Sequence, residues 1–487
     1  MQLRTVRPCP LVPAPMLFLL LFFMLCFPGC LLNKQVAGSD NVCEKPSYDS
    51  NSGHLSLFLN LESTDGPQVK LQLDSLEILK DGLWLPVLSG PREVDTKKIG
   101  GYQLLFGNKD FQPGNFEKVR LSFRPEVTLT WQKQSVEQVL VEPVIEISFS
   151  SPFHLKSQTS ESVFLVWDLD KSFVGGKTGP LSFSLITSAP SPITANMIYV
   201  ASPDINTIYA IRADKKGVSN SFFVGGRPTY LAIDDDKKKM YILCHDDGDI
   251  KVFDLISNSL IDVIKLPMTF QPEFMWVDDD FTAYVIDDMG YVSVVELQIG
   301  SVVVRKKIGQ HPNFITKISG TNTIAVSSSI DSSIYILDDQ TLEVKDQITV
   351  GDSPVGIWKE GDLLYVSDEM SNSVMVFDYN IRRNINSLAV GYDPNRLVGY
   401  DGKLFVANSG SGSISSIKTW NGKVTSEIPV GDHIYEMVVS DTEQLLYAGK
   451  SDDGDCAGWV SVIDITSNKV IGEIEIGSRP MGIVIGH

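Results

Sequence analysis

Gly391-Tyr392-Asp393-Pro394 opens the unit from which the fold can be read. Leu404-Phe405-Val406-Ala407-Asn408 follows, then Ile414-Ser415-Ser416-Ile417, then the next glycine-led turn, Gly431-Asp432-His433-Ile434. The same order recurs from about Met197 to His487: a β-rich run, Gly-x-x-Pro or a relative of it, and another apolar run. The other copies are Gly225-Gly226-Arg227-Pro228, Gly309-Gln310-His311-Pro312, Gly351-Asp352-Ser353-Pro354 and Gly477-Ser478-Arg479-Pro480, with a degenerate one at Phe270-Gln271-Pro272. A period of roughly 40 residues with about four short strands per unit is the signature of a β-propeller. Aligning on Gly-x-x-Pro predicts seven units.

Second strands are predicted to begin at Ile198, Met240, Ala283, Thr323, Leu364, Leu404 and Leu446, and third strands at Thr207, Ile250, Val292, Ile334, Val374, Ile414 and Val460. The array therefore starts on a second strand and finishes on a first strand, Met481-Gly482-Ile483-Val484-Ile485. That last strand is expected to insert beside Ile198–Ala201 and close a seven-bladed β-propeller, because closure removes the exposed inner edges.

These runs, with Leu404-Phe405-Val406-Ala407-Asn408 as the nearest copy of the name-giving piece, resemble the YVTN (Tyr-Val-Thr-Asn) repeat propellers of bacterial and archaeal surface and secreted proteins. The resemblance covers nearly all of residues 197–487. It implies a fold more than an activity, since such propellers include binding proteins and a few enzymes.

In a four-stranded blade the loop leading into strand one and the loop between strands two and three share a face. The residue before each proline is therefore expected to line the mouth of the central channel: Arg227, Gln271, His311, Ser353, Asp393, His433 and Arg479. All seven are polar. One reading is a ligand mouth in which Arg227 and Arg479 hold an anionic group and Asp393 tunes His433. The other is a wet rim of solvated side chains. His311 and His433 lie across the channel from each other, too few for a metal site. The loops His245-Asp246-Asp247-Gly248-Asp249 and Ser451-Asp452-Asp453-Gly454-Asp455 share this face; turn chemistry explains their Asp and Gly, with calcium binding the alternative, and neither has EF-hand spacing. No nucleophile, phosphate-loop, dinucleotide or haem-attachment motif is present, so no catalytic residue and no cofactor is assigned.

The 487 residues are 43% hydrophobic and 21% charged, which is enough apolar material for a large core. A formal net charge of -19 argues against a nucleic-acid partner. Arg4 and Arg7 precede an apolar run, Met16 to Phe27, of the length of a signal-peptide core and too short to span a bilayer. Phe27-Pro28-Gly29-Cys30 resembles the lipobox of bacterial lipoproteins: Gly29 and Cys30 fit, Phe27 and Pro28 depart. The resemblance implies lipidation of Cys30 and a bacterial cell-envelope address, anchored on the extracytoplasmic side. Cleavage near Val36-Ala37-Gly38, giving a soluble secreted protein, is the alternative. Cys43, Cys244 and Cys456 remain, an odd number at scattered spacings that predicts no disulfide framework, with Cys244 as a buried strand residue.

Residues 1–29 thus read as a lipoprotein-type signal peptide and 30–52 as a tether. From 53 to 187 the pattern is alternation, as in Leu55-Ser56-Leu57-Phe58-Leu59, and predicts strands with one buried face. Asp81-Gly82 between Leu76–Lys80 and Leu83–Leu85 predicts a type I′ hairpin. No stretch has the length and period of a good helix, so an N-terminal antiparallel β-sandwich is expected. Phe111 to Leu121 and Val163 to Ser172 resemble motifs of uncharacterised β-sandwich domains near the N-termini of bacterial lipoproteins. Asp168 and Asp170 are read as solvent-facing punctuation of a strand end, with calcium ligation the alternative. Ser188-Ala189-Pro190-Ser191-Pro192 within 188–196 is a linker that predicts semi-independent domains.

Three functions follow. The leading one is an extracytoplasmic lipoprotein whose propeller, residues 197–487, serves as a binding or scaffold module for a small ligand or protein at the mouth. The others are a propeller enzyme, such as a lactonase-like hydrolase or a dehydrogenase, and a structural cell-envelope protein.

Overall fold

The computed structural model describes residues 51–487 apart from 63–65, 89, 100–102, 188–195, 215, 319, 432, 452–457 and 487. The segment read as a signal peptide, Cys30 as the expected lipidation residue, nearly all of the expected tether and linker, Cys43, Cys456 and most of the second acidic loop lie outside the described residues. The chain is all-β. Among the described residues the helices are Thr96–Ile99, Leu169–Ser172 and the short 3-10 turn Pro203–Ile205, and no helix is long and apolar enough to cross a membrane.

From Met197 onward the chain forms four-stranded antiparallel sheets in a propeller-like arrangement. Their second and third strands fall within two residues of the predicted starts: Lys403–Asn408 and Ser413–Lys418, for example. In five sheets the first strand begins on the proline of the repeat, at Pro228, Pro272, Pro312, Pro354 and Pro394. A residue without an N–H is tolerated at a strand start. The glycine before it turns the chain. Gly351 has φ 54°, and a Cβ there would sit 2.0 Å from Asp368 Oδ2, so no other residue fits. Immediately after each proline the register shifts, between Pro228 and Tyr230, Pro272 and Phe274, and Pro312 and Phe314. Such bulges break strict alternation and re-aim the next side chain.

Each first strand neighbours the first strand of the next sheet. Polar side chains join neighbouring sheets: from second strands Ser327 Oγ donates to Val355 O at 2.6 Å and Ser367 Oγ to Asn395 O at 2.9 Å, and from a first strand Asn395 Nδ2 donates to Ile434 O at 2.9 Å. Ile483–Gly486 pairs antiparallel with Met197–Ser202, Ile198 opposite Ile485, and also lies beside both Ile434–Ser440 and Pro228–Asp234.

The N-terminal region holds two sheets around one core. Gly53–Leu61 is central in the first, antiparallel to Leu104–Phe111 but parallel to Ser160–Asp168, so the expectation of purely antiparallel pairing does not hold. Gln68–Lys80 and the 18-residue strand Gly114–Trp131 dominate the second. Leu57, Leu59, Leu73, Ile78, Val119, Leu121 and Trp167, from both sheets, are buried together. Asp81 and Gly82 have φ 48° and 81°, as a type I′ turn requires. Asp168 caps the helix Leu169–Ser172 by accepting from Lys171 N at 2.9 Å, which is the punctuating role.

Two expectations are corrected by one feature. Gly53–Leu61 is buried on both faces, and the regions before and after the linker belong to one compact unit. The second face of this strand packs against the first and last repeat sheets. Phe58 and Phe164 join Ile198, Tyr209, Val460 and Ile476 in one apolar cluster. Ser56 Oγ and Tyr209 OH are 2.9 Å apart, as are Ser162 and Ser221 hydroxyls at 2.8 Å. Gln103 Oε1 accepts from Val218 N while its Nε2 donates to Val218 O. Glu475, 3% exposed, takes Arg92 Nη2 at 2.7 Å and Leu105 N at 3.2 Å. The alternation of Gly53–Leu61 is genuine, but both of its faces find a partner.

Candidate functional site

Within its own sheet, the loop that carries a predicted site residue pairs with the loop at the end of the second strand. The amide after each second strand donates to the carbonyl of the residue before the repeat's proline position: His245 N to Arg227 O, Asp288 N to Gln271 O, Ser329 N to His311 O, Glu369 N to Ser353 O, Ser409 N to Asp393 O and Ser451 N to His433 O. Four of these residues, Arg227, Gln271, Asp393 and His433, have φ between 46° and 59°. Neighbouring side chains hold that backbone: Asn206 Oδ1 takes Arg227 N at 2.7 Å, Asn372 Oδ1 takes Asp393 N at 3.0 Å, and Asp368 takes both Asp352 N and Ser353 N at 3.0 Å.

The side chains divide into groups. Arg227 lies 3.9 Å from Asp246, whose carboxylate is 2.8 Å from His245 Nδ1; His245 Nε2 is 3.7 Å from Glu273. The Glu273 carboxylate holds the His245 imidazole above its ordinary value, and His245 in turn holds Glu273 below its own. His311 and Arg227 add to the positive field at Glu273. His311 Nδ1 is 3.1 Å from Asn313 Nδ2 and 3.3 Å from Ser329 Oγ. Arg479 Nη2 donates to Asp204 at 2.9 Å, and its guanidinium stands over Tyr435. The exposed Asp393 raises the neighbouring Glu369, an effect secondary to that residue's burial. His245 and Glu273 were not among the predicted residues. They sit one position after a second strand and one after a proline, and only the packing of two neighbouring sheets brings them together.

Sequence reasoning also missed what lies below. Two residues after the proline position come Tyr230, Phe274, Phe314, Arg396 and Glu436, and these converge. Arg396 Nη2 donates to Tyr230 OH at 2.5 Å and its Nε to Glu436 Oε2 at 3.3 Å. Its guanidinium stands 5.4 Å from the Phe274 ring centroid and 5.5 Å from that of Phe314, and Tyr230 and Phe274 meet edge-on at 4.5 Å. Arg396 and Glu436 side chains are each 15% exposed. Burial pushes the Glu436 carboxyl up, against the pull of Arg396. The space between these first strands is thus filled by an ion pair sandwiched among aromatic rings.

Around this end the loops expose Met268, Phe270, Met289, Ile330, Met370 and Tyr392, each between 53% and 86%. At the other end Ile256, Ile299, Ile381 and Trp420 are exposed singly at turn tips, the ordinary case for a surface.

A Ser–His–Asp line does occur elsewhere: Asp110 to His54 Nδ1 at 2.7 Å, and His54 Nε2 to Ser56 Oγ at 3.3 Å. Ser56 is 0% exposed and bonded to Tyr209, so no substrate reaches it and the line ties the two regions together. Among the described residues no group of three or more His, Cys, Asp or Glu could hold a metal ion. Cys244 is a buried free thiol, pushed up by its burial.

No protein-family model matches this sequence, and no curated protein matches it. A solved structure is similar, that of a functionally unknown protein from Desulfotomaculum acetoxidans DSM 771. The TM-score is 0.52 at 15% identity, covering 60% of this chain and 99% of that one. The likeness is one of fold alone.

Proposed function

We propose that this protein is a lipid-anchored, extracytoplasmic binding and scaffold protein of the bacterial envelope, and that a protein partner docks on the Gly-x-x-Pro end of its repeat array. In this reading residues 197–487 are a seven-bladed propeller of the YVTN type, closed where Ile483–Gly486 completes the first blade, and residues 53–187 are a β-sandwich fixed against it. Cys30 carries the lipid.

One observation supports the docking reading above all: the charged group Arg227, Asp246, His245 and Glu273 lies over a filled centre and is bordered by exposed methionines and aromatics. With Arg396, Glu436 and three aromatic rings occupying the axis, a ligand rests on this end rather than threading it. Adaptable Met and aromatic side chains around a polar centre suit a protein surface.

The test is capture of envelope proteins on the immobilised whole chain, with paired variants. A partner should bind wild type and Ile256→Ala equally and be lost, by 10-fold or more, from Arg227→Ala/His245→Ala, since hydrogen bonds to charged groups contribute about 1.5–3 kcal/mol each. Equal capture by all three variants would overturn the assignment.

A further inference from the structure

The chemistry of the partner follows from the charge that borders the exposed apolar side chains at the Gly-x-x-Pro end, an inference that rests on the docking reading above. Four neighbouring sheets, residues 272–307, 312–349, 354–389 and 394–429, set an apolar side chain beside a carboxylate there. The pairs are Asp288-Met289, Glu369-Met370 and Tyr392-Asp393, adjacent in the chain, and Ile330 with Asp352 on the adjoining connection. All eight residues are exposed. Backbone hydrogen bonds tie each second-to-third-strand loop to the connection into the next sheet: Ile308 N to Gly290 O at 2.8 Å, Val350 N to Ser332 O at 2.9 Å and Val390 N to Asn372 O at 3.1 Å. Ser332 Oγ also donates to Asp352 O at 3.0 Å. The four pairs therefore lie along one continuous run of surface.

The chain does not neutralise this run. Among the described residues no lysine or arginine forms an ion pair with Asp288, Asp352, Glu369 or Asp393. The nearby cations are directed elsewhere, Arg305 to Asp287 at 2.7 Å and Lys307 over the Tyr291 ring. Partial burial, and then the charge of Asp393, pushes the Glu369 carboxyl up, so two like charges bear on each other across neighbouring sheets. At the opposite end acidic residues carry their own cations: Asp234 with Lys237 at 3.7 Å, Asp278 with Lys317 at 3.3 Å and Asp338 with Lys345 at 2.7 Å.

We propose that the segment docking here is a cationic amphipathic stretch of a protein partner. Its apolar side chains seat among Met289, Ile330, Met370 and Tyr392, and its lysines or arginines meet the four carboxylates. Methionine adapts to irregular apolar anchors, and complementary charge fixes register and speeds encounter. The carboxylates are spread over successive sheets, so one small cation cannot serve them, whereas donors spaced along a chain can. An anionic bilayer is repelled by the same charge.

The experiment is fluorescence anisotropy of a labelled peptide of about 18 residues, leucine and lysine at helical spacing, titrated with the whole chain at physiological salt. The same peptide with glutamate for lysine runs beside it. Saturable binding of the lysine peptide alone is expected. Asp288→Asn/Glu369→Gln/Asp393→Asn should weaken it about 10-fold, as the loss of three exposed ion pairs does. Met289→Ser/Met370→Ser should weaken it by a similar factor. Asparagine suits the left-handed backbone of Asp393, φ 52°, and every substituted side chain is exposed, so the fold is kept. Asp236→Asn/Asp279→Asn/Asp280→Asn removes the same formal charge at the opposite end and should leave binding unchanged. Equal weakening by the two triple variants would overturn the proposal in favour of diffuse attraction to an acidic chain, as would binding of the glutamate peptide. If neither peptide binds while a photo-crosslinker at position 370 still yields an adduct, the partner docks through other chemistry and this inference alone falls. With no adduct either, the docking reading falls with it.

Discussion

Replacing Arg396 with methionine probes the filled centre of the array. The substitution keeps most of the volume but leaves Glu436, 15% exposed, without its cation, and takes the donor from Tyr230 OH. Breaking a buried pair by removing one partner costs about 3–5 kcal/mol. A cooperative unit of roughly 440 residues has an unfolding entropy near 0.9 kcal/mol per kelvin, so the melting temperature should fall by about 3–6 °C. Arg396→Met/Glu436→Met removes both charges and should recover most of the loss, to within about 1–2 kcal/mol of wild type. The pH dependence has a definite sign. Burial raises the folded-state value of Glu436 above its unfolded value, and without Arg396 only the Met437 amide and the Tyr230 hydroxyl oppose this. The carboxyl then holds its proton more tightly when folded, so stability is retained below the unfolded value, near 4.5, and lost as pH rises through the folded value. The deficit of Arg396→Met should be small at pH 5 and largest at pH 8, measured by urea denaturation and calorimetry. A loss below about 1 kcal/mol at pH 8, or a double variant no better than the single, would refute the reasoning and mean the guanidinium is solvated.

Other outcomes are expected from the same structure. His245, held up by Glu273, should titrate above about 6.5 by NMR and return toward that value in Glu273→Gln; its contribution to stability is full below the unfolded value and lost as pH rises through the folded one. Glu475→Ala strands Arg92 and Leu105 N at the junction of the two regions, and should cost about 3 kcal/mol or more by urea denaturation, whereas semi-independent regions would leave the repeat array's transition unchanged. Deleting residues 480–487 removes the strand paired with Met197–Val200; loss of the cooperative melt and aggregation on gel filtration are expected. Cys244, 0% exposed, should react with a thiol reagent only on unfolding.

The repeat was legible because each unit restates it. Pro394, Leu404 and Ile414 announce three strands by a helix-excluding turn and β-branched runs, and the same columns recur along the chain. Outer strands such as Ser259–Lys265 were not legible, being largely exposed and without alternation. Tyr230, Phe274, Phe314, Arg396 and Glu436 each read as an ordinary strand residue. Their shared meaning needs the bulge after the proline, which re-aims that column, and the packing of the sheets, which brings residues 166 positions apart within hydrogen-bonding distance. Comparing that single column across the repeats is the signal that would have found them. The burial of His54, Ser56 and Phe58 was hidden for a similar reason. Partners such as Tyr209 and Phe164 lie more than a hundred residues away, and polar side chains on the second face of a strand suggest water. The predicted mouth column fared differently: its backbone positions are regular, while two of its side chains pair with loops, Arg479 with Asp204 and Arg227 with Asp246.

Site-specific photo-crosslinking in cells of the source organism bears most directly on the proposed docking of a partner at the Gly-x-x-Pro end. A photoreactive residue would replace Met370, 72% exposed at that end, or Ile256, 80% exposed at the other. A discrete adduct from position 370 and none from 256 is the predicted result. An adduct from 256 alone, or none from either, would contradict it.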